Sequence, residues 1–376
     1  MKVLYVSKAS IVPAYRDKLH ALAMHVDLDA LVPMRWNEDR LDPADNAGAA
    51  RVHGVRAVLH GHNHLHLLRG APGLLRDKAP DLVHIDEEPY SAVTFQLARL
   101  CRRQRVPFLF FAWQNLHKRL PPPFGAMRDR VFASAAAAIA GTARAAEVLR
   151  RAGWTGETAV IPQLGVCATR FRPDATARAA LRDRLGIPED AFTAGFAGRL
   201  VPEKGVDLLI RAAATRDMHV LIVGDGAERR RLLEFSASCG SLASTHFVGH
   251  VSSLEMPRWL NAMDALVLPS RGTAGWTEQF GRVLVEAMSC GVPVIGAESG
   301  EIPLVIGGAG MTFVEGDDAA LGARLAALRD APELRSRLAE AGRARVLELF
   351  THDRVAEQTV ELYGSTVRQE SGVCPT

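Results

Sequence analysis

The stretch Phe196-Ala-Gly-Arg-Leu-Val-Pro-Glu-Lys-Gly205 follows a short apolar strand and leads into a helical pattern over residues 206–214. This pattern predicts that Arg199 and Lys204 lie in a strand-to-helix loop. Open α/β sheets bind ligands beside such loops, at the carboxyl ends of parallel strands. Two cations there would neutralise a diphosphate, Arg199 through its planar fork and Lys204 as a point charge.

Strand-like and helical runs alternate along the rest of the chain. Apolar runs predict strands at 2–6, 81–85, 107–112 and 137–140, and periodic runs predict helices at 14–25, 91–104, 126–134 and 142–152. A second series begins near residue 192. This rhythm is typical of parallel sheets with helices on both faces, and 376 residues are too many for one ordinary core. We therefore expect an α/β protein with two doubly wound domains and a hinge near Pro162.

A second informative segment is Glu278-Gln-Phe-Gly-Arg-Val-Leu-Val-Glu286, with two carboxylates eight residues apart around the start of a helix predicted over 280–288. The N–H donors and dipole of a helix start suit an anion, and Gly281 lets the backbone approach it. The two carboxylates fit hydroxyls of two sugars, one on each side of a diphosphate. The alternative is a loop carboxylate plus a capped or salt-bridged helical one.

Further strand ends follow in a fixed succession: Val220-Leu-Ile-Val-Gly-Asp-Gly-Ala-Glu228, Phe247-Val-Gly-His250, Ala265-Leu-Val-Leu-Pro-Ser270 and Gly291-Val-Pro-Val-Ile-Gly296. With the two segments above, this order over residues 192–350 resembles the retaining nucleotide-sugar glycosyltransferases of family 4, which have the GT-B fold. The resemblance implies two facing Rossmann-like domains with a cleft between them. Residues 1–165 would bind the acceptor, residues 166–350 the donor, and residues 351–376 would form a helix and tail that return to the first domain.

The resemblance also implies roles for residues of the second domain. Arg199, Lys204 and Glu278 are the expected catalytic residues, because the two cations would hold the diphosphate and Glu278 would bond the donor sugar. Glu286 is expected to bond the ribose hydroxyls. The other expected donor-binding residues are Gly198, Asp225, Gly226, Gln279, Phe280, Gly281 and Arg282.

Acceptor recognition is expected in the first domain, at strand ends. Where many relatives have a Gly-rich turn this chain has Lys8, and where relatives often have a histidine it has Trp113 and its neighbours. For the acidic turn after the strand at 81–85, the alternative to acceptor recognition is helix capping by Glu88 or Ser91. The acceptor candidates are Lys8, Asp86, Glu87, Trp113, Gln114, Asn115 and His117.

Two clusters have more than one interpretation. The run His60-Gly-His-Asn-His-Leu-His66 would put four histidines on one face of any strand formed there. That face is either a metal site or a polar surface beside a cleft, and we expect no metal. From residue 99 to residue 130, eight basic residues accompany one acid. This bias either attracts an anionic acceptor or acidic lipid surface, or forms a solvated helix face.

Composition narrows the class of protein. A net charge of +3 is too small to argue for nucleic acid as a partner. Five scattered cysteines lack metal or disulfide spacing, which fits a reducing compartment. Residues 1–7 predict a strand rather than a signal peptide, and no run approaches the ~18 apolar residues that span a bilayer. We expect a cytoplasmic protein, with peripheral attachment at the inner membrane face as the alternative.

The motifs predict a metal-independent hexosyltransferase, and the resemblance implies that it is a retaining one. It would move a sugar from a nucleoside diphosphate donor, a UDP- or GDP-sugar, to a hydroxyl of a sugar, glycolipid or small molecule, without a further cofactor. One alternative is an epimerase or hydrolase of the same fold. Another is a non-catalytic protein that only binds nucleotide sugars.

Overall fold

The computed structural model describes residues 1–42, 48–370 and 372 and divides into two compact units. The first unit comprises Met1–Gly165 with His352–Thr376, and the second comprises Val166–Thr351. Among the described residues, no helix has both the length and the apolar character to cross a bilayer.

The first unit has a seven-stranded sheet in which every pairing is parallel. Its strand order is β11-β10-β9-β8-β1-β2-β5, and two short antiparallel pairs, β3-β4 and β6-β7, lie outside it. The elements up to residue 165 are β1 (Lys2–Val6), α1 (Asp17–Ala23), β2 (Asp27–Pro33), β3 (Arg35–Trp36), β4 (Asp39–Arg40), β5 (Arg51–Val55), β6 (Ala57–Val58), β7 (Leu67–Leu68), α2 (Ala71–Lys78), β8 (Leu82–Ile85), α3 (Ala92–Gln104), β9 (Phe108–Ala112), α4 (Phe124–Phe132), β10 (Ala137–Ala140), α5 (Ala143–Arg151) and β11 (Glu157–Val160).

The second unit has a six-stranded parallel sheet in the order β14-β13-β12-β15-β16-β17. Its elements are α6 (Ala175–Leu185), β12 (Thr193–Ala197), α7 (Val206–Ala214), β13 (His219–Val223), α8 (Arg229–Ser238), β14 (Thr245–Gly249), α9 (Met256–Asn261), β15 (Ala265–Leu268), α10 (Arg282–Ser289), β16 (Val294–Ala297), α11 (Ile302–Ile306), β17 (Met311–Phe313), α12 (Asp318–Asp330) and α13 (Pro332–Leu349).

The last helix, α14 (His352–Glu370), completes the core of the first unit. Its Val355 and Tyr363 are fully buried in the apolar cluster that contains Leu22 of α1 and Val3 of β1. The Tyr363 hydroxyl also lies 2.7 Å from Nδ1 of the buried His84. This helix is therefore an integral part of the first unit.

The four strands predicted in the first unit are present because each is an apolar run covered on both faces. To the same sheet the structure adds β2, β5 and β11, which the apolar pattern did not predict. It also contradicts the strand considered for residues 60–66, where the chain forms turns. Short 3-10 turns replace the first residues of the helix predicted at 14–25, so α1 begins at Asp17.

Candidate functional site

The strand order marks one place in the second sheet where a ligand site is expected. Successive strands β12, β13 and β14 run outward to one side, and β15, β16 and β17 run to the other. The order therefore reverses between β12 and β15. Open α/β sheets bind ligands at such a switch point, outside the carboxyl ends of the strands.

Lys204 and Glu278 meet at this switch point, one after each of the two strands. The Lys204 Nζ lies 2.5 Å from Oε2 of Glu278, and the Ser270 hydroxyl donates to the same oxygen at 2.9 Å. Glu278 is 7% exposed, and Lys204 also lies 5.3 Å from the centre of the Trp276 ring. Two residues predicted from separate motifs thus form one largely buried ion pair.

Two glycines fix the backbone around this ion pair. Gly205 has φ 62°, and a Cβ there would lie 2.2 Å from the Pro269 carbonyl oxygen. Gly300 has φ 55°, and its Cβ would lie 2.1 Å from the carbonyl oxygen of Glu278, which accepts the Glu301 N–H at 3.1 Å. Any side chain at either position would push the loops apart. The sequence analysis did not predict that Ser270, Gly300 and Glu301 take part in this site. A glycine soon after a strand end, as Gly300 is, could have indicated it.

The loops after β12 and β13 contact each other through backbone. The Leu200 N–H donates to the Asp225 carbonyl at 2.9 Å. A Cβ at Gly224 would lie 1.9 Å from the Gly198 carbonyl oxygen, and one at Gly226 would lie 2.3 Å from that of Leu200. The Asp225 carboxylate accepts the N–H of Gly226 at 2.7 Å. The predicted donor-binding glycines therefore form a surface of close-packed main chain beside the switch point.

Arg199 extends from this surface. Its side chain is exposed, and within the part of the chain that the structure describes no hydrogen bond or ion pair holds its guanidinium. An exposed guanidinium at a strand end is available for a phosphate or carboxylate ligand.

The helix predicted from Phe280 begins instead at Arg282. Gly281 has φ 77° at the position before the helix, so Phe280 and Gly281 belong to the loop, in which Gln279 is half-buried. Arg282 Nε lies 2.9 Å from Oε1 of Glu286, whose side chain is 13% exposed. Burial raises the pKa of Glu286, and the Arg282 charge opposes that rise. The salt-bridged state considered as an alternative for this carboxylate is therefore present.

The first sheet has a corresponding switch point between β1 and β8, because β2 and β5 lie on one side and β9 to β11 on the other. Lys8 and Glu87, two residues past these strands, form a salt bridge across it, and the Lys8 N–H donates to Glu87 at 3.2 Å. Burial raises the pKa of Glu87 against the effect of Lys8. Asp86 accepts from the Ser7 hydroxyl at 2.8 Å and from Gln163 at 3.3 Å. Both acids are nearly inaccessible.

Glu88, the third acid of the turn for which acceptor recognition or helix capping was expected, binds the chain after β9. One carboxylate oxygen accepts the backbone N–H groups of Trp113 at 2.8 Å and Gln114 at 2.9 Å. Burial raises the pKa of Glu88 to about 7, although both N–H groups act in the opposite direction. Helix capping by Glu88 or Ser91 is wrong, since no side chain caps α3 and the Ser91 hydroxyl donates to the Glu88 carbonyl. Gln114 lines a cavity beside Glu88.

Of the other acceptor candidates, Asn115 is buried and His117 is exposed on the wall of the same cavity. The histidine run does not share a face. His66 is buried 4.7 Å from the Trp36 ring, and burial and the Lys8 charge lower its pKa to about 4. His64 instead packs against Tyr90. Within residues 1–42, 48–370 and 372, no group of three or more ligating side chains is arranged to hold a metal ion.

Comparison with known proteins finds similarity to glycosyltransferases. Residues 177–345 match the family described as Glycosyl transferases group 1. A D-inositol 3-phosphate glycosyltransferase of Streptomyces bingchenggensis is 34% identical over 257 residues, covering 64% of this chain and 55% of that protein. A GDP-mannose-dependent monoacylated alpha-(1-6)-phosphatidylinositol monomannoside mannosyltransferase of Corynebacterium glutamicum is 33% identical over 213 residues, covering 54% and 55%. The chain spans about half the length of these relatives.

Solved structures show the same fold at lower identity. Anabaena HepE in complex with UDP aligns over 97% of this chain and 100% of that chain, with a TM-score of 0.75 and 21% identity. A glycosyltransferase from Rickettsia africae aligns over 98% and 99%, with a TM-score of 0.78 and 15% identity. Together with the two parallel sheets, these likenesses confirm the predicted GT-B fold class.

Proposed function

We propose, from the match of residues 177–345 to the glycosyl transferases group 1, that the protein is a nucleotide-sugar glycosyltransferase with its donor site in the second unit. The observation that carries the proposal is the Lys204–Glu278 ion pair at the switch point, with the exposed Arg199 on the neighbouring loop. A cation, a hydroxyl-binding carboxylate and a second cation at one sheet edge suit a sugar joined to a diphosphate.

The chemistry follows from where charge develops. As the anomeric bond stretches, negative charge builds on the departing phosphate. Lys204 and Arg199, together with the start of α10, would stabilise that charge more than they stabilise the bound donor. Glu278 would accept a hydrogen bond from the donor sugar, and Glu286 one from the ribose. For this step Lys204 exchanges part of its interaction with Glu278 for the phosphate.

We extend the proposal to a retaining, metal-independent transfer of a hexose. The acceptor hydroxyl would attack from the face that the diphosphate leaves, with a phosphate oxygen taking the proton, because no side chain of the donor site is an evident nucleophile. Two similar proteins are described with UDP and with GDP-mannose, which supports a UDP- or GDP-hexose donor. The proposed acceptor-recognition residues of the first unit remain Lys8, Asp86, Glu87, Trp113, Gln114, Asn115 and His117.

A thermal-shift panel of UDP-, GDP-, ADP- and dTDP-sugars tests the donor site. A ligand at 100 times its Kd stabilises its protein by about 2.7 kcal/mol, so the cognate donor should raise the unfolding temperature clearly. The double variant Arg199→Ala, Lys204→Ala should lose this stabilisation. The control Arg230→Ala removes a cation that is 93% exposed on α8 and should retain it.

The proposal fails if no nucleotide sugar stabilises the folded protein, or if the double variant binds as the wild type does. Release of nucleoside diphosphate with transfer of sugar to an acceptor distinguishes the transferase from a protein that only binds. The anomeric configuration of the product, read by NMR coupling constants, tests retention. Full activity after exhaustive chelation tests metal independence.

A further inference from the structure

The first unit contains a cavity of about 360 Å³ that lies wholly within residues 64–152. It begins beside Glu88, where β8 and β9 end, and continues between α4 and α5. Phe124 and Phe132 of α4 and Val148 and Leu149 of α5 form its apolar walls. The volume and the apolar lining are those of a small-molecule pocket.

The mouth of this cavity is strongly basic. Lys118 and Arg119 are exposed, and both line the cavity together with Arg128. The same three side chains line an adjoining, more open recess of about 420 Å³, so they lie where the cavity meets solvent. Arg128 shares its charge with Asp129 at 2.7 Å, while nothing in the described part of the chain pairs with the Arg119 guanidinium. The mouth thus has a net positive charge.

Glu88 gives the cavity a direction. Of its described lining residues, Glu88 is the one acid; it follows β8, and it is not among the residues that line the adjoining open recess with the three cations. An anionic group would be repelled from Glu88 and attracted to Lys118, Arg119 and Arg128. A neutral hydroxyl could donate a hydrogen bond to the Glu88 carboxylate.

We propose that this cavity binds an anionic amphiphile, with a hydrocarbon chain between α4 and α5 and a phosphate or carboxylate head at Lys118, Arg119 and Arg128. The apolar walls supply the affinity for the hydrocarbon chain of the ligand, and the three cations select its anionic head group. The site accounts for three of the eight basic residues whose clustering had two interpretations. It is built within the first unit and does not depend on the donor site.

Calorimetric titration of the whole chain with monomeric dodecyl phosphate, below its micelle concentration, tests the site. One molecule should bind saturably, whereas inorganic phosphate and the neutral dodecyl maltoside should bind at least tenfold more weakly. Val148→Trp and Leu120→Trp place an indole in the cavity from a helix and from a loop, and each should weaken binding at least tenfold. Two positions are used because one filled variant could disturb folding, which circular dichroism checks.

A matched pair of charge reversals tests the mouth. Arg119→Glu should weaken dodecyl phosphate at least tenfold, and Arg103→Glu, an equal charge change on the exposed face of α3, should alter it less than twofold. Equal losses in the two variants would show general surface attraction and overturn the proposal. Unchanged binding in both filled variants would also overturn it. A third result would overturn the proposal as well. In it, monomeric dodecyl phosphate does not bind, whereas anionic phosphatidylglycerol vesicles bind both filled variants as tightly as they bind the wild type.

These outcomes are separable from the proposed donor site. Dodecyl phosphate binding without stabilisation by any nucleotide sugar would sink the transferase proposal and leave the cavity intact. Stabilisation by a nucleotide sugar without dodecyl phosphate binding would contradict the cavity proposal and leave the transferase proposal standing.

Discussion

Glu88→Gln is expected to change how the stability of the first unit depends on pH. The ordinary pKa of a glutamate is 4.5, and burial raises that of Glu88 to about 7. With this pKa the Glu88 carboxyl group loses its proton only around neutral pH, because its buried surroundings favour the protonated form. The glutamine variant has the same shape, and its carbonyl oxygen can accept the same two N–H groups from Trp113 and Gln114.

The size of the effect follows from linkage between proton binding and folding. The pKa in the folded state is higher than in the unfolded chain, so the folded state binds the proton more tightly. The contribution to stability is therefore complete below pH 4.5 and is lost as the pH rises through 7. The two pKa values differ by about 2.5, which at about 1.4 kcal/mol for each pKa unit amounts to roughly 3.5 kcal/mol. The glutamine variant should gain about this much relative to the wild type between pH 4.5 and pH 8.

Two measurements check this. Urea unfolding of both proteins at pH 5, 6, 7 and 8 gives the difference in free energy of unfolding. In the wild type, the amide NMR signals of Trp113 and Gln114 should titrate with a midpoint near pH 7, and this titration should vanish in Glu88→Gln. Glu361→Gln, an exposed change on α14, is the control and should leave the curve unaltered. A midpoint below pH 5, or a pH-independent stability difference, would refute the argument from burial.

Three further predictions concern the donor site and the last helix. Arg199→Ala or Lys204→Ala should lower kcat about 10- to 150-fold with a smaller change in KM. The reason is that charge-assisted bonds of about 1.5–3 kcal/mol strengthen as the leaving group gains charge. Unchanged kcat in both folded variants would show that these two cations do not hold the diphosphate. Glu286→Gln should weaken nucleoside diphosphate binding in calorimetry while Glu278→Gln spares it, and equal losses would show that the two roles are not divided. Deletion of residues 352–376 should abolish cooperative unfolding of the first unit, whose core they complete, while nucleotide binding persists; an unaltered unfolding curve would contradict this.

The sequence predicted those strands that are buried on both faces, because such strands are continuous apolar runs; β8 and β9 are examples. It failed at β2, where Asp27 and Asp29 interrupt the run. Both carboxylates are neutralised by Arg51 of the neighbouring strand β5, with Asp29 at 2.8 Å. Because that partner is more than twenty residues away, no local pattern shows that an acid there is compatible with a strand.

The sequence predicted residues of the candidate donor site but not how they contact one another. The motifs identified Lys204 and Glu278, and the structure brings them together, but their direct ion pair depends on loop conformations set by Gly205 and Gly300. The spacing of motifs along a chain does not record such conformations. The position of Glu88 was missed for the same reason, because both of its N–H donors lie about 25 residues further along the chain.

The composition of the first unit from two separated pieces of chain has a consequence for synthesis on the ribosome. About 190 residues of the second unit are translated between β11 and α14. At about 5–20 residues per second, this takes roughly 10–40 s. Throughout that interval the apolar surface that Val355 and Tyr363 later cover has no partner helix from its own chain. The half that emerges first is thus the half that finishes folding last, and its nascent form is a natural client for chaperones.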